Sequence, residues 1–153
     1  VVTPPTVASV TTVVPQPGAK QRRIADAVDF QFGPLGGQAV IGYQTVRPDG
    51  GAERRDTSLG GRLSYALDAN IKLLGELGTT RRRVDGADSQ SLSKATVALA
   101  FAPAPDFWSR PEFRVYATRA KWNDAARLAN ITSFGADGRR AATTVGAQVE
   151  AWW

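Results

Sequence analysis

Arg110, Glu112 and Arg114, together with Gln148 and Glu150 near the end of the chain, are the densest set of side chains in this sequence that could grip or cleave a ligand. A pair of carboxylates such as Glu112 and Glu150 is the chemistry of glycoside hydrolysis, one acid protonating the leaving oxygen while the other attacks or activates water. The interleaved Arg110 and Arg114 give a simpler account, in which the acids are neutralised rather than poised. The chain has no His and no Cys, which removes imidazole bases, catalytic triads, thiolate nucleophiles and the usual zinc ligand sets. No catalytic residue, metal ligand or cofactor is therefore assigned. Three of the four tryptophans, Trp108, Trp122 and Trp152, have even numbers, as do these polar residues, and Trp108 and Trp152 fall at the same end of adjacent segments. If that parity faces water, two indoles expose apolar area that only a stacking partner would use. A Trp near the end of such a segment is nevertheless more often part of an interfacial aromatic girdle than a ligand platform, and on the residues alone Trp108 is read so.

The elements that would position these groups are strands. Seven segments alternate with period two: 24–32, 38–46, 57–67, 71–80, 92–102, 109–121 and 143–153. In 57–67, Leu59, Leu63, Tyr65 and Leu67 oppose Ser58, Arg62 and Ser64. In 109–121, Phe113, Val115 and Ala117 oppose Arg110, Glu112, Arg114 and Tyr116. A soluble sandwich also alternates, but its strands average five or six residues. Ten residues rising about 3.3 Å each, tilted near 45°, climb roughly 23 Å, the height of the apolar band of a membrane barrel. The connections 33–37, 68–70 and 102–107 read as short turns, whereas 47–56, 81–90 and 122–142 read as longer, Arg-rich loops. Trp122 belongs to the last of these, in a packing role.

Composition agrees with such a layout. Nineteen Lys and Arg against fourteen Asp and Glu leave a formal charge of +5, much of it in the clusters at Arg22, Arg54, Arg81 and Arg139. A basic balance suits a nucleic acid, but loops beside an anionic surface give the same composition, and no nucleic-acid partner is assigned. No apolar run reaches the about 20 residues of a membrane helix. Residues 1–23, rich in Val, Thr and Pro, are expected to be an irregular external loop or linker, with 24–153 the C-terminal strands of a barrel. The absence of Met and an odd strand number both suggest an incomplete chain, since bacterial barrels close with even numbers.

Two stretches carry a more specific likeness. Phe107-Trp108-Ser109-Arg110-Pro111-Glu112-Phe113-Arg114-Val115-Tyr116, running on to Asn123-Asp124, and the ending Gly146-Ala147-Gln148-Val149-Glu150-Ala151-Trp152-Trp153 resemble the end of maltoporin-like, carbohydrate-specific outer-membrane porins. Gly60 to Tyr65 and Lys72 to Gly78 are also similar to that family. The likeness covers about the last 95 residues of the chain, and residues 1–23 match nothing recognisable. It implies an all-β fold, a transmembrane antiparallel barrel of roughly eighteen strands, of which this chain is an open meander of about seven. It further implies a homotrimer in the outer membrane of a Gram-negative bacterium that passes maltodextrins or related oligosaccharides along an aromatic slide, with lipid and lipopolysaccharide outside it. Trp108 and Trp152 match slide positions. Trp153 is expected in the girdle, as the terminal aromatic read by the barrel-assembly machinery.

The chemistry suits a sugar. A pyranose offers an apolar C–H face to an indole and a rim of hydroxyls to charged or amide side chains. Arg110, Glu112, Arg114, Gln148 and Glu150 are the candidates for that rim. Arg119 departs from the family, which more usually carries an aromatic at that lipid-facing parity. An Arg costs about 2 to 4 kcal/mol at mid-bilayer but little near an interface, so it is expected at the outer rim. The competing reading is a general diffusion porin or receptor barrel with no sugar site.

Overall fold

A computed structural model describes residues 18–151. Their strands are β1 (Lys20–Phe32), β2 (Leu35–Arg47), β3 (Arg54–Ala66), β4 (Ile71–Val84), β5 (Gln90–Phe101), β6 (Glu112–Trp122) and β7 (Ala141–Glu150). Two short helices, α1 (Asp124–Ala129) and α2 (Ile131–Phe134), lie between β6 and β7. All neighbours pair antiparallel in the order of the chain, making one open seven-stranded sheet. No helix of the described residues is long and apolar enough to cross a membrane.

Alternation gives the sheet two unlike faces. Register carries Phe32, Leu35, Tyr65, Leu73, Leu99, Val115 and Ala147 into one row. On this face Leu59, Leu77, Val145 and Val149 are more than half exposed. A soluble protein would bury such a face; a membrane barrel turns it to lipid. Asp26, register partner of Ile41, interrupts it on β1. The opposite face is polar and holds a small buried apolar cluster, Leu74, Ala98 and Ala100, with Tyr116 packed against them. A Cβ on Gly146 would stand 2.8 Å from the Tyr116 hydroxyl, so glycine there makes room for that ring.

The upper limit of the apolar band runs through Ile24, Tyr43, Leu59, Leu77, Val97, Ala117 and Val145. Followed through the hydrogen-bonded rows, Val145 aligns with Phe30 of β1 rather than with Ile24. The band therefore slips six residues over six strand-to-strand steps. One residue, about 3.3 Å along for each about 4.8 Å across, corresponds to a strand tilt of about 35°. Register alone thus carries the tilt of a barrel wall.

Three expectations need correction. β1 starts at Lys20, so residues 20–23 are strand rather than irregular; residues 1–17 lie outside the described residues. Arg54, Arg55 and Arg81 to Arg83 belong to β3 and β4 rather than to loops. A backbone ladder continues wherever its partners continue, whatever the side chains, and alternation of apolar residues marks only the part in contact with lipid. The connections at that end shrink to 48–53 and 85–89, and the loop 123–140 carries the two helices. Finally, β6 begins at Glu112, which leaves Trp108 and Arg110 in the connection 102–111. Pro103, Pro105 and Pro111 lack the N–H that a ladder needs.

Candidate solute-binding site

The connection 102–111 folds over the polar face at the lower end of the sheet. Ser109 Oγ accepts from Ala104 N at 3.0 Å, and Arg110 donates to the carbonyls of Phe107 and Ser109 at 3.0 and 2.8 Å. The Phe107 amide donates to Gln31 Oε1 at 2.9 Å, and the Trp108 indole N–H donates to Asp29 Oδ2 at 3.3 Å. Both acceptors are on β1. A Cβ on Gly36 would lie 2.6 Å from that of Phe107, so the close approach of connection and sheet requires glycine. Phe107 is buried against the sheet and holds Trp108 edge to face at 4.9 Å, while the indole remains 45 % exposed.

Trp108 forms one wall of a cleft of about 360 Å³ whose other walls include Gln38, Arg62, Glu76, Lys94, Thr96 and Glu150. Four of these walls come from one row: Gln38 pairs with Arg62, Arg62 with Glu76, and Glu76 with Thr96. Arg62 Nε is 2.5 Å from Glu76 Oε1, which also lies 3.4 Å from Arg114 Nη1. Glu150 is held by Arg114, and by Arg110 at 3.1 Å. Beneath, Lys72 Nζ meets Glu112 Oε2 at 2.7 Å, with Arg114 Nε 3.4 Å from the other carboxylate oxygen. Ala100, with no side-chain bulk to spare, is the register partner of both Lys72 and Arg114, so two long cationic side chains lie side by side over it.

Position thus separates the residues singled out in the sequence. Glu150 lines the cleft, and Gln148, opposite Arg114 in register, is exposed on the same face. The side chains of Arg110, Glu112 and Arg114 are 2, 2 and 5 % exposed, a floor beneath the cleft rather than its rim. Trp108 reaches the polar face by the fold of its connection, not by strand parity. Trp152 and Trp153 lie outside the described residues. Arg62, Glu76 and Lys94 were missed as site residues, although their inward parity was open to inspection. Trp122 packs as expected: its ring stacks on Phe134 at 4.5 Å and its N–H donates to the Arg139 carbonyl at 3.0 Å.

A weakly apolar plate beside alternating cations, carboxylates and an amide can take a flat, hydroxyl-rimmed solute by stacking and by hydrogen bonds to its edge. The paired acids Glu112 and Glu150 are both engaged by guanidinium groups, and Glu112 is buried.

The profile of the LamB porin family matches residues 3–153, reaching through the N-terminal stretch in which the sequence alone offered no likeness. Among curated proteins, the maltoporin of Photobacterium profundum is 34 % identical over 117 residues, 74 % of this chain and 26 % of the relative. The maltoporin of Hahella chejuensis is 36 % identical over 96 residues, 63 % of this chain and 22 % of the relative. Maltoporin 2 of Yersinia pestis is 36 % identical over 100 residues, again 63 % of this chain and 23 % of the relative. The chain spans about a quarter of the length of the curated relatives it matches.

Proposed function

The chain belongs to the LamB porin family, and from that premise we propose that the full-length protein is a carbohydrate-selective porin of a Gram-negative outer membrane. It passes maltodextrins or related oligosaccharides by facilitated diffusion. The observation that carries this reading is the half-exposed Trp108 indole on the wall of a cleft otherwise lined by Arg, Lys, Glu and Gln. An indole left in water on the polar side of a barrel strand is wasted area unless a solute stacks on it, and the apolar face of a sugar ring is the complement that also needs a hydrogen-bonding rim.

In this reading Trp108 and Trp152 are successive steps of an aromatic slide, with Arg62, Glu76, Lys94, Gln148 and Glu150 exchanging hydrogen bonds with sugar hydroxyls. Arg110, Glu112 and Arg114 act from beneath, fixing the carboxylate of Glu150. The seven strands are part of a barrel of roughly eighteen, assembled as a homotrimer, with the 102–111 end in the periplasm and the helical loop outside. Trp153 serves the aromatic girdle and the assembly machinery. A transported solute must also leave, so affinity is weak, and millimolar binding corresponds to about −4 kcal/mol. The test is ion conductance of the full-length porin in a planar bilayer with maltooligosaccharides added. Saturable block that deepens with oligomer length is expected. Conductance indifferent to sugar would overturn the reading in favour of a general diffusion porin or receptor barrel.

A further inference from the structure

The opposite face of the same strands carries a second concavity, on the side the porin reading turns to lipid. β3 to β6 form a shallow groove there of about 550 Å³. Leu59 and Leu77 stand on its sides, 55 and 70 % exposed, and Gly61 and Ala95 leave its floor low. At its upper margin are Arg119 and Lys121, register partners of Ala95 and Ser93. The hydroxyls of Thr79 and Ser93 lie 3.0 Å apart between the floor and the cations. Arg119 donates to Thr143 Oγ1 at 2.8 Å, and neither Arg119 nor Lys121 joins an ion pair among the described residues.

The two cations sit at a boundary. Ala117, two residues below Arg119, is the last apolar residue of the band on β6, and Lys121 lies a further step above. An apolar floor continuous with the lipid-facing band, closed at its top by two cations and two hydroxyls, is complementary to a molecule with an acyl chain below and an anionic head above. An acidic protein would satisfy the cations but leave Leu59 and Leu77 uncovered. A neutral lipid would cover the leucines and leave the cations without a counter-charge.

We propose that this groove seats an acyl chain of an outer-leaflet glycolipid and that Arg119 and Lys121 hold its phosphate. The assignment rests on the porin reading, which puts the helical-loop end of the sheet outside the cell. It also accounts for an arginine on a lipid-facing parity: set at the margin of the band, its charge meets phosphate rather than hydrocarbon.

The experiment titrates the full-length porin, in detergent, with bis-phosphorylated lipid A, with the same lipid after phosphate removal, and with phosphatidylglycerol, reading bound lipid by native mass spectrometry. Wild type should prefer the phosphorylated glycolipid. The double variant R119A/K121A should bind it at least about tenfold more weakly, from a surface contribution of about 1 kcal/mol per cation. A95F, which raises the groove floor without altering charge, should weaken it as well, while R139A on the helical loop should leave it unchanged. If the double variant does not assemble, Arg119→Gln alone carries the same expectation of weaker binding. Equal affinity in wild type and variants, undiminished binding of the dephosphorylated lipid, or preference for phosphatidylglycerol would each overturn the proposal. So would a change of oligomeric state in place of lost lipid, which would assign the groove to a second copy of the chain. Sugar block of the current is read separately on the same samples: its absence from wild type sinks the transport reading and leaves the lipid titration standing.

Discussion

Two ion pairs of equal length sit at opposite ends of the polar face. Lys72 and Glu112 meet at 2.7 Å at the lower end, and Arg82 and Asp56 meet at 2.7 Å at the upper end. The side chains of the first pair are 0 and 2 % exposed, and those of the second 43 and 16 %. Distance therefore says nothing of what each pair contributes. An exposed pair is screened by water and salt and is worth at most about 1 kcal/mol, whereas removing one partner of a buried pair strands a charge that water cannot reach. The lower network is also the one that carries the cleft: four cations, Arg62, Lys72, Arg110 and Arg114, surround three carboxylates, Glu76, Glu112 and Glu150. Arg114 touches all three acids. The upper network instead ties strand ends and a loop together through Arg47, Glu53 and Arg55.

The comparison breaks most visibly if the two networks respond alike to equal substitutions. Glu112→Gln keeps the shape of the side chain and removes the charge that Lys72 and Arg114 face. It should cost the full-length porin about 3 kcal/mol, seen as a lower midpoint in urea and a smaller fraction of folded, heat-modifiable protein. Asp56→Asn should cost no more than about 1 kcal/mol. Equal midpoints for the two variants would mean that the lower network is as wet as the upper one.

Next in size is Trp108→Ala, which tests whether the buried network supports a site at all. Loss of one stacking surface in a wet cleft should weaken sugar block of the current by about 1 to 2 kcal/mol, with the urea midpoint little moved. Trp152→Ala should behave similarly, and Trp153→Ala should reduce assembly while leaving the sugar affinity of inserted channels nearly unchanged. Unaltered block in both Trp108→Ala and Trp152→Ala would remove these residues from transport.

How much of this was legible beforehand differs between the two ends for the same physical reason. The alternation of Leu59, Leu63 and Tyr65 with Ser58, Arg62 and Ser64 gave the strands and their facing, because lipid on one side and water on the other select opposite residue types. That selection ends with the apolar band, so nothing in Arg54-Arg55 or Arg81-Arg82-Arg83 told a strand extension from a loop. Trp108 was placed on the polar face by parity, yet it stands outside any strand; its position depends on Gln31, Asp29 and Gly36, more than seventy residues away in the chain. Burial of Lys72 was likewise invisible, since it depends on Ala100 across one strand pair and Glu112 across the next. Residues 1–17, 152 and 153 fall outside what the structure describes.

A smaller effect distinguishes the residues that line the cleft from those beneath it. Arg62→Ala removes a guanidinium from the wall and its 2.5 Å contact with Glu76. It should weaken sugar block by about 1 kcal/mol, the value of one hydrogen bond in a solvated site. Arg82→Ala, at the upper end of the same face, should leave the block constant unchanged. If the two variants weaken it equally, the contribution of arginine is a general field along the pore and not a contact in the cleft.

The smallest effect concerns pH and the upper loop. Glu53, just before β3, accepts hydrogen bonds from Arg55 at 2.7 Å and from Arg47. Those bonds, Arg55's first, hold its carboxyl below the ordinary value of 4.5. A carboxyl whose pKa is lowered by folding contributes stability that is present above its unfolded value and is lost as the pH falls through the lowered native one. Glu53→Gln should therefore be slightly less stable than wild type at neutral pH, and the two urea midpoints should draw together on acidification below about 4.5. Salt at neutral pH should narrow the same gap, because charges at this loop are screened, while the gap produced by Glu112→Gln should persist in salt. A Glu53→Gln difference that widens as the pH falls would show that the sign is wrong and that Arg47 and Arg55 do not hold this loop by charge.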